Sequence, residues 1–137
     1  MIAFNYENSF ILKDEKSLEV WIENIALEEE FEVGEINYIF CDDAYLHKLN
    51  VEFLKHDTLT DIISFDNSLG KLINGDIFIS TERVADNAKD FNVSFDDELH
   101  RVMIHGVLHY MGYKDKSKEE KTAMRNAENA ALLQLNN

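Results

Sequence analysis

The chain has 137 residues, a single cysteine, no proline and a formal net charge of −14. That length suits one domain with one core, the lone Cys41 rules out an intrachain disulfide, and no apolar run is long enough to span a bilayer. The opening Met1-Ile2-Ala3-Phe4-Asn5-Tyr6-Glu7 lacks the basic and apolar regions of a secretory signal, so the expected location is the cytoplasm and the expected domain is residues 1–137.

Residues 2–6 read as a first strand. Over 17–31, Leu18, Trp21, Ile22, Ile25 and Ala26 recur among acids at helical spacing, and Gly34 is the expected stop of that helix. Residues 36–41 form a second strand, with Cys41 a small core residue at its end. Residues 43–54 form a second helix expected to turn Leu46, Leu49 and Phe53 inward. A polar loop leads to strands 62–65 and 72–79, joined hairpin-fashion through Asn67-Ser68-Leu69-Gly70.

The remainder is helical. Ser80 or Thr81 opens a helix through residue 89, and Ser94 with Asp97 and Ser117 with Glu120 both have capping-box spacing. The helix from Ser94 to Met111 directs Leu99, Val102, Met103 and Val107 to a core, with His105 and His109 at the edge of the apolar arc. Glu98, roughly 10 Å before His105 along the axis, is too far to share an ion and is expected behind the site or at the surface. In the last helix Met124, Ala127, Ala131 and Leu135 form the covering stripe. Together these elements predict a compact α/β (α+β) domain: a small mixed sheet of four strands packed with about five helices.

The stretch His105-Gly106-Val107-Leu108-His109-Tyr110-Met111-Gly112-Tyr113-Lys114-Asp115 carries the chemistry. Residues four apart stand on one helical face, so His105 and His109 can address one ion, and a left-handed turn at Gly112 can return Asp115 to it. Two imidazoles and a carboxylate suit one Zn²⁺ per chain with a fourth position left open, the catalytic pattern. The spacing also matches the H-x-x-x-H-x-x-G-x-x-ligand arrangement of metzincin peptidases, except that position 106 holds glycine where those enzymes need a glutamate base.

The same stretch resembles the signature H-G-x-L-H-L-x-G-Y-D-H of the YbeY family of bacterial rRNA maturation endoribonucleases, whose members hold zinc with three histidines. The segment from Asn50 to Phe65, with Asp57, Thr60, Asp61, Ser64 and Phe65, resembles the family's N-x-x-Y-R-x-x-D-x-P-T-D-V-L-S-F, and Gly75-Asp76-Ile77 its G-D-I strand. The resemblance runs from Ile36 onward. It implies a zinc-dependent, single-strand-specific endoribonuclease acting in rRNA maturation, at the 16S 3′ end, and in ribosome quality control, with rRNA and the small subunit as partners. His105 and His109 correspond to the first two ligands. The third histidine is Asp115 here and the aspartate before it Lys114, while Leu54 occupies the place of the family's arginine and Leu59 that of its proline. Lys55 and Arg83 are the candidates to replace the arginine.

Charge is unevenly spread. Residues 1–43 carry twelve acids and two lysines, whereas residues 114–125 hold five bases against three acids. Lys114, Lys116 and Lys118 are therefore candidate RNA contacts. Two alternatives stay open: a metallopeptidase, disfavoured by Gly106, and a non-enzymatic ribosome-associated factor with a structural metal, favoured by Leu54.

Overall fold

A computed structural model describes residues 1–136. In chain order it contains β1 (Ile2–Tyr6), α1 (Glu15–Glu28), β2 (Glu32–Cys41), α2 (Asp43–Leu54), β3 (Ile62–Asp66), β4 (Leu72–Ser80), α3 (Thr81–Phe91), α4 (Phe95–Tyr110) and α5 (Lys118–Leu135). The sheet has the order β1-β2-β4-β3, with β1, β2 and β4 parallel and β3 antiparallel to β4. This is the expected mixed sheet of four strands with five helices.

Alternation along the strands assigns the two faces. Ile36, Tyr38 and Phe40 of β2 and Ile73, Ile77 and Ile79 of β4 are fully buried in the main core, together with Leu18, Trp21 and Ile22 of α1 and Met103, Val107 and Leu108 of α4. Two side chains fasten helices across this core by hydrogen bonds. Tyr38 Oη donates to the Met103 carbonyl at 2.8 Å, and Trp21 Nε1 donates to the Ala131 carbonyl at 2.8 Å, tying β2 to α4 and α1 to α5. Phe78 and Phe65 look the other way, into a smaller cluster with Cys41, Leu46 and Ile63 that α2 covers. Burial, with the charges of Asp42, Glu7 and Asp43, pushes the Cys41 thiol up to about 12, in keeping with an inert core residue.

Three expectations are corrected. The first helix lies two to three residues earlier than expected and ends at Glu29 and Glu30, the latter at φ 65°, so Gly34 does not stop it. Gly34 instead sits inside β2 beside the register shift between Val33 and Ile36, where a Cβ would collide with the Asn74 side chain. The Asn74 Oδ1 uses that space to accept from the Glu35 amide at 2.8 Å. Phe53 does not turn inward. It is 59 % exposed and leans edge-on against Phe65 of the edge strand β3, ring centroids 6.0 Å apart.

No helix among the described residues is long and apolar enough to cross a membrane. The helix caps fall where the sequence places them: Ser80 accepts from the Arg83 amide, Ser94 from the Asp97 amide, and Ser117 forms a full capping box with Glu120.

Candidate metal centre

Helix α4 is fixed before any metal is considered. At Gly106 it comes so close to the sheet that an added Cβ would stand 3.0 Å from Ile77 Cδ1 and 3.3 Å from Ile62 Cδ1. The glycine thus serves a close helix-on-sheet contact, with His105 and His109 on the flank of α4 beside that contact. The helix ends at Met111, and Gly112 takes φ 99°, the left-handed turn that brings Tyr113 and Asp115 back over the last turn.

His105, His109 and Asp115 meet there. His105 Nε2 and His109 Nε2 are 3.0 Å apart, and each lies 3.2 Å from Asp115 Oδ2. For ligand bonds of 2.0–2.1 Å, the edge of a zinc tetrahedron is about 3.3 Å, so three corners are already set at the required spacing. The far side of each ring settles its tautomer. His109 Nδ1 donates to the Tyr113 carbonyl at 2.9 Å and His105 Nδ1 to the Glu128 carboxylate at 2.6 Å, so both Nε2 atoms can present lone pairs inward. Two lone pairs and a carboxylate oxygen facing one another repel unless a cation lies between them. The donor set therefore fits a divalent metal, and these three residues form the one potential metal-ligand group among the described residues.

Glu128 is the residue that sequence reasoning missed. It is 4 % exposed, receives Arg101 Nη1 at 2.9 Å as well as His105, and lies 3.8 Å from Arg125. Its signal was present in the stripe Met124, Glu128, Ala131, an acid at helical spacing within a buried face. Burial works against charge on His105, but Glu128, through its hydrogen bond and charge, and then Asp115 and Asp61 hold its pKa above the ordinary histidine value. Burial likewise opposes the Glu128 charge and is outweighed by His105 and Arg101, leaving that carboxyl below the ordinary range.

Glu98 is not at the surface. It is buried on α4 beside a recess that also touches His105, and burial followed by the Asp61 charge raises its carboxyl pKa. The other candidates are dispersed. Lys114, Lys116 and Lys118 are exposed; of these, Lys118 lines a groove with Lys121 and Arg125 on α5. Lys121 and Arg125 also line the recess containing His105 and Asp115, which puts them nearer that cluster than the sequence suggested. Arg83 is held by Asp43 at 2.8 Å and Asp86 at 3.5 Å. Lys55 is exposed in a left-handed conformation directly after α2, next to the exposed Leu54.

Residues 3–136 match the sequence profile of the family described as Endoribonuclease YbeY. Curated relatives carry the same description: one from Flavobacterium johnsoniae is 61 % identical over 132 residues, covering 96 % of this chain and 95 % of its own. Another, from Cytophaga hutchinsonii, is 48 % identical over 130 residues, covering 94 % of this chain and 91 % of its own. A solution structure of a Thermotoga maritima protein superposes with a TM-score of 0.68 at 28 % identity, covering 98 % of this chain and 91 % of that one.

Proposed function

Because the chain belongs to the endoribonuclease YbeY family, we propose that it is a metal-dependent endoribonuclease whose ion is zinc, held by His105, His109 and Asp115. The observation that carries this reading is the convergence of three acceptor atoms at 3.0 to 3.2 Å with both histidines anchored from behind. When bound, such an ion supplies a Lewis acid for a phosphodiester and positive charge for its transition state.

The chain's own residues supply orientation and charge. Glu128 and the Tyr113 carbonyl keep the imidazoles in the ligating tautomer, and Gly112 gives Asp115 its approach. Lys121 and Arg125, lining the adjoining recess, neutralise phosphates of the strand on either side of the reacting one. They take over, from α5, the role that Leu54 cannot fill on α2. Single-stranded rRNA of the small subunit is the proposed substrate, and the cytoplasm the proposed location.

Gly106 weighs against the metallopeptidase. The position between the histidines faces Ile77 and Ile62, so a glutamate base there would have to enter the sheet interface. The deciding experiment incubates zinc-loaded protein with structured rRNA and with a denatured protein, each with and without chelator. Chelator-sensitive cleavage of RNA alone is expected, and it should disappear with the bound zinc in the His105→Ala and His109→Ala variants. Intact RNA from fully loaded protein would return the centre to a structural role, and cleavage that persists in metal-free variants would refute the assignment.

A further inference from the structure

Behind the metal centre, α3, α4, α5 and the loop preceding β3 enclose a second recess of about 240 Å³ that shares His105 and Glu128 with it. Glu98 is the side chain there that requires explanation. It is 5 % exposed, faces the recess, and makes no hydrogen bond or ion pair among the described residues. Its oxygens are not sealed from solvent: among the described residues the one buried side-chain polar atom without a partner is Arg83 Nε, so the Glu98 carboxylate opens onto the recess with its acceptor positions unfilled. Arg101 and Arg125 line the same recess and their charges favour the Glu98 carboxylate, but neither bonds to it: the Arg101 guanidinium is taken by Glu128 at 2.9 Å and Asn129 at 2.8 Å, and Arg125 lies 3.8 Å from Glu128. Asp61 adds a second acceptor to the same recess, held by Asn87 Nδ2 at 3.3 Å.

Two carboxylates that face one cavity with acceptor positions unfilled suit a cation or a ligand rich in hydrogen-bond donors. A second metal is disfavoured: His105, His109 and Asp115 are the one group of three or more ligating side chains among the described residues whose atoms lie close enough to share an ion. The volume falls below the about 300–1,000 Å³ of sites for drug-sized ligands, which leaves room for one flat ring system. Phe91, 59 % exposed, lines the same recess and offers an aromatic face on which a base can stack. Guanine is the base that presents two adjacent donors, N1–H and N2–H, and a carboxylate accepts such a pair together.

We propose that this recess binds a guanine base of the RNA strand next to the scissile phosphate, with Glu98 and Asp61 accepting from its donor edge and Phe91 stacking on its face. The proposal rests on the nuclease reading above, and makes the enzyme selective for bases near the cut. A good bidentate contact discriminates among bases by roughly 5- to 150-fold.

The test measures fluorescence anisotropy of short labelled uridine strands carrying one central G, A, C or U, with zinc-loaded protein and again with chelator present, where cleavage cannot erode the signal. The G strand is expected to bind about tenfold more tightly than the others. Glu98→Gln, nearly the same shape with one acceptor replaced by a donor, should erase that preference while leaving zinc content and the U-strand affinity unchanged. Phe91→Ala, at a ring 59 % exposed, should weaken the G strand by about fivefold or more. Equal affinity for all four strands by a protein that still cuts RNA overturns the base site and leaves the nuclease reading standing. A G preference that survives in Glu98→Gln overturns it as well. Protein that neither binds nor cuts any strand overturns both.

Discussion

Replacing Glu128 by glutamine separates the support of the metal centre from its ligands. The carboxylate accepts from His105 Nδ1 at 2.6 Å with one oxygen and from Arg101 Nη1 at 2.9 Å with the other, at 4 % exposure. A glutamine of the same shape keeps one acceptor oxygen and turns a donor on whichever partner meets the amide nitrogen. Arg101 loses its counter-charge in either orientation, and with the amide nitrogen toward His105 the imidazole also loses the bond that fixes its tautomer. Outer partners of ligating histidines are worth about 10- to 100-fold in metal affinity, or about 1.4–2.7 kcal/mol. Competition of Glu128→Gln and wild type against a chromophoric zinc chelator near neutral pH should show a loss in that range. The metal-free variant should also be less stable by about 1–3 kcal/mol, because a buried donor is left unpaired. A folded variant binding zinc within about twofold of wild type would refute the tautomer-locking argument.

Four further outcomes are expected. Gly112→Ala places a side chain at φ 99° and should cost about 1–2 kcal/mol in thermal unfolding while lowering zinc occupancy; unchanged occupancy would detach Asp115 from the turn. Tyr110→Phe removes the hydroxyl that donates to the Phe65 carbonyl at 3.0 Å and the Asp76 carbonyl at 3.2 Å, and denaturant titration should register a loss of about 1–2 kcal/mol. At Asp43, burial is outweighed by hydrogen bonds from Arg83 and Ser80, so its pKa is lowered below 3.8; the stability difference from Asp43→Asn should be full above that value and vanish as the pH falls through the lower folded pKa, as read from melting curves across acid pH. Lys121→Gln combined with Arg125→Gln should reduce the slope of log affinity for single-stranded RNA against log salt by about 1.4, whereas an unchanged slope would make both residues solvated bystanders.

The extent to which the molecule could be read from its sequence follows the range of the interactions involved. The two histidines, Gly112 and Asp115 lie within eleven residues, and helical repeat plus one left-handed turn fixes their relation, so the convergence of His105, His109 and Asp115 was legible without tertiary contacts. The same holds for the buried stripe of α1, for the caps at Ser94 and Ser117 and for the alternation that builds the sheet, all of which depend on neighbours a few residues away. What needed the fold was whatever joins distant segments. Gly34 has the look of a helix stop, yet its role is to leave space for Asn74 on the neighbouring strand. Phe53 has the spacing of a core residue, but on the last turn of α2 it stays 59 % exposed, with Phe65 of the edge strand covering part of its ring. Glu128 reaches His105 across 23 residues of chain, and the recess at Glu98 exists only because α3, α4 and α5 converge on the loop before β3. Local periodicity and one turn bring His105, His109 and Asp115 together, since a single helix and its C-terminal turn set their relation; packing between helices decides what stands behind them and beside them, since those distances are set by side chains that the sequence leaves far apart.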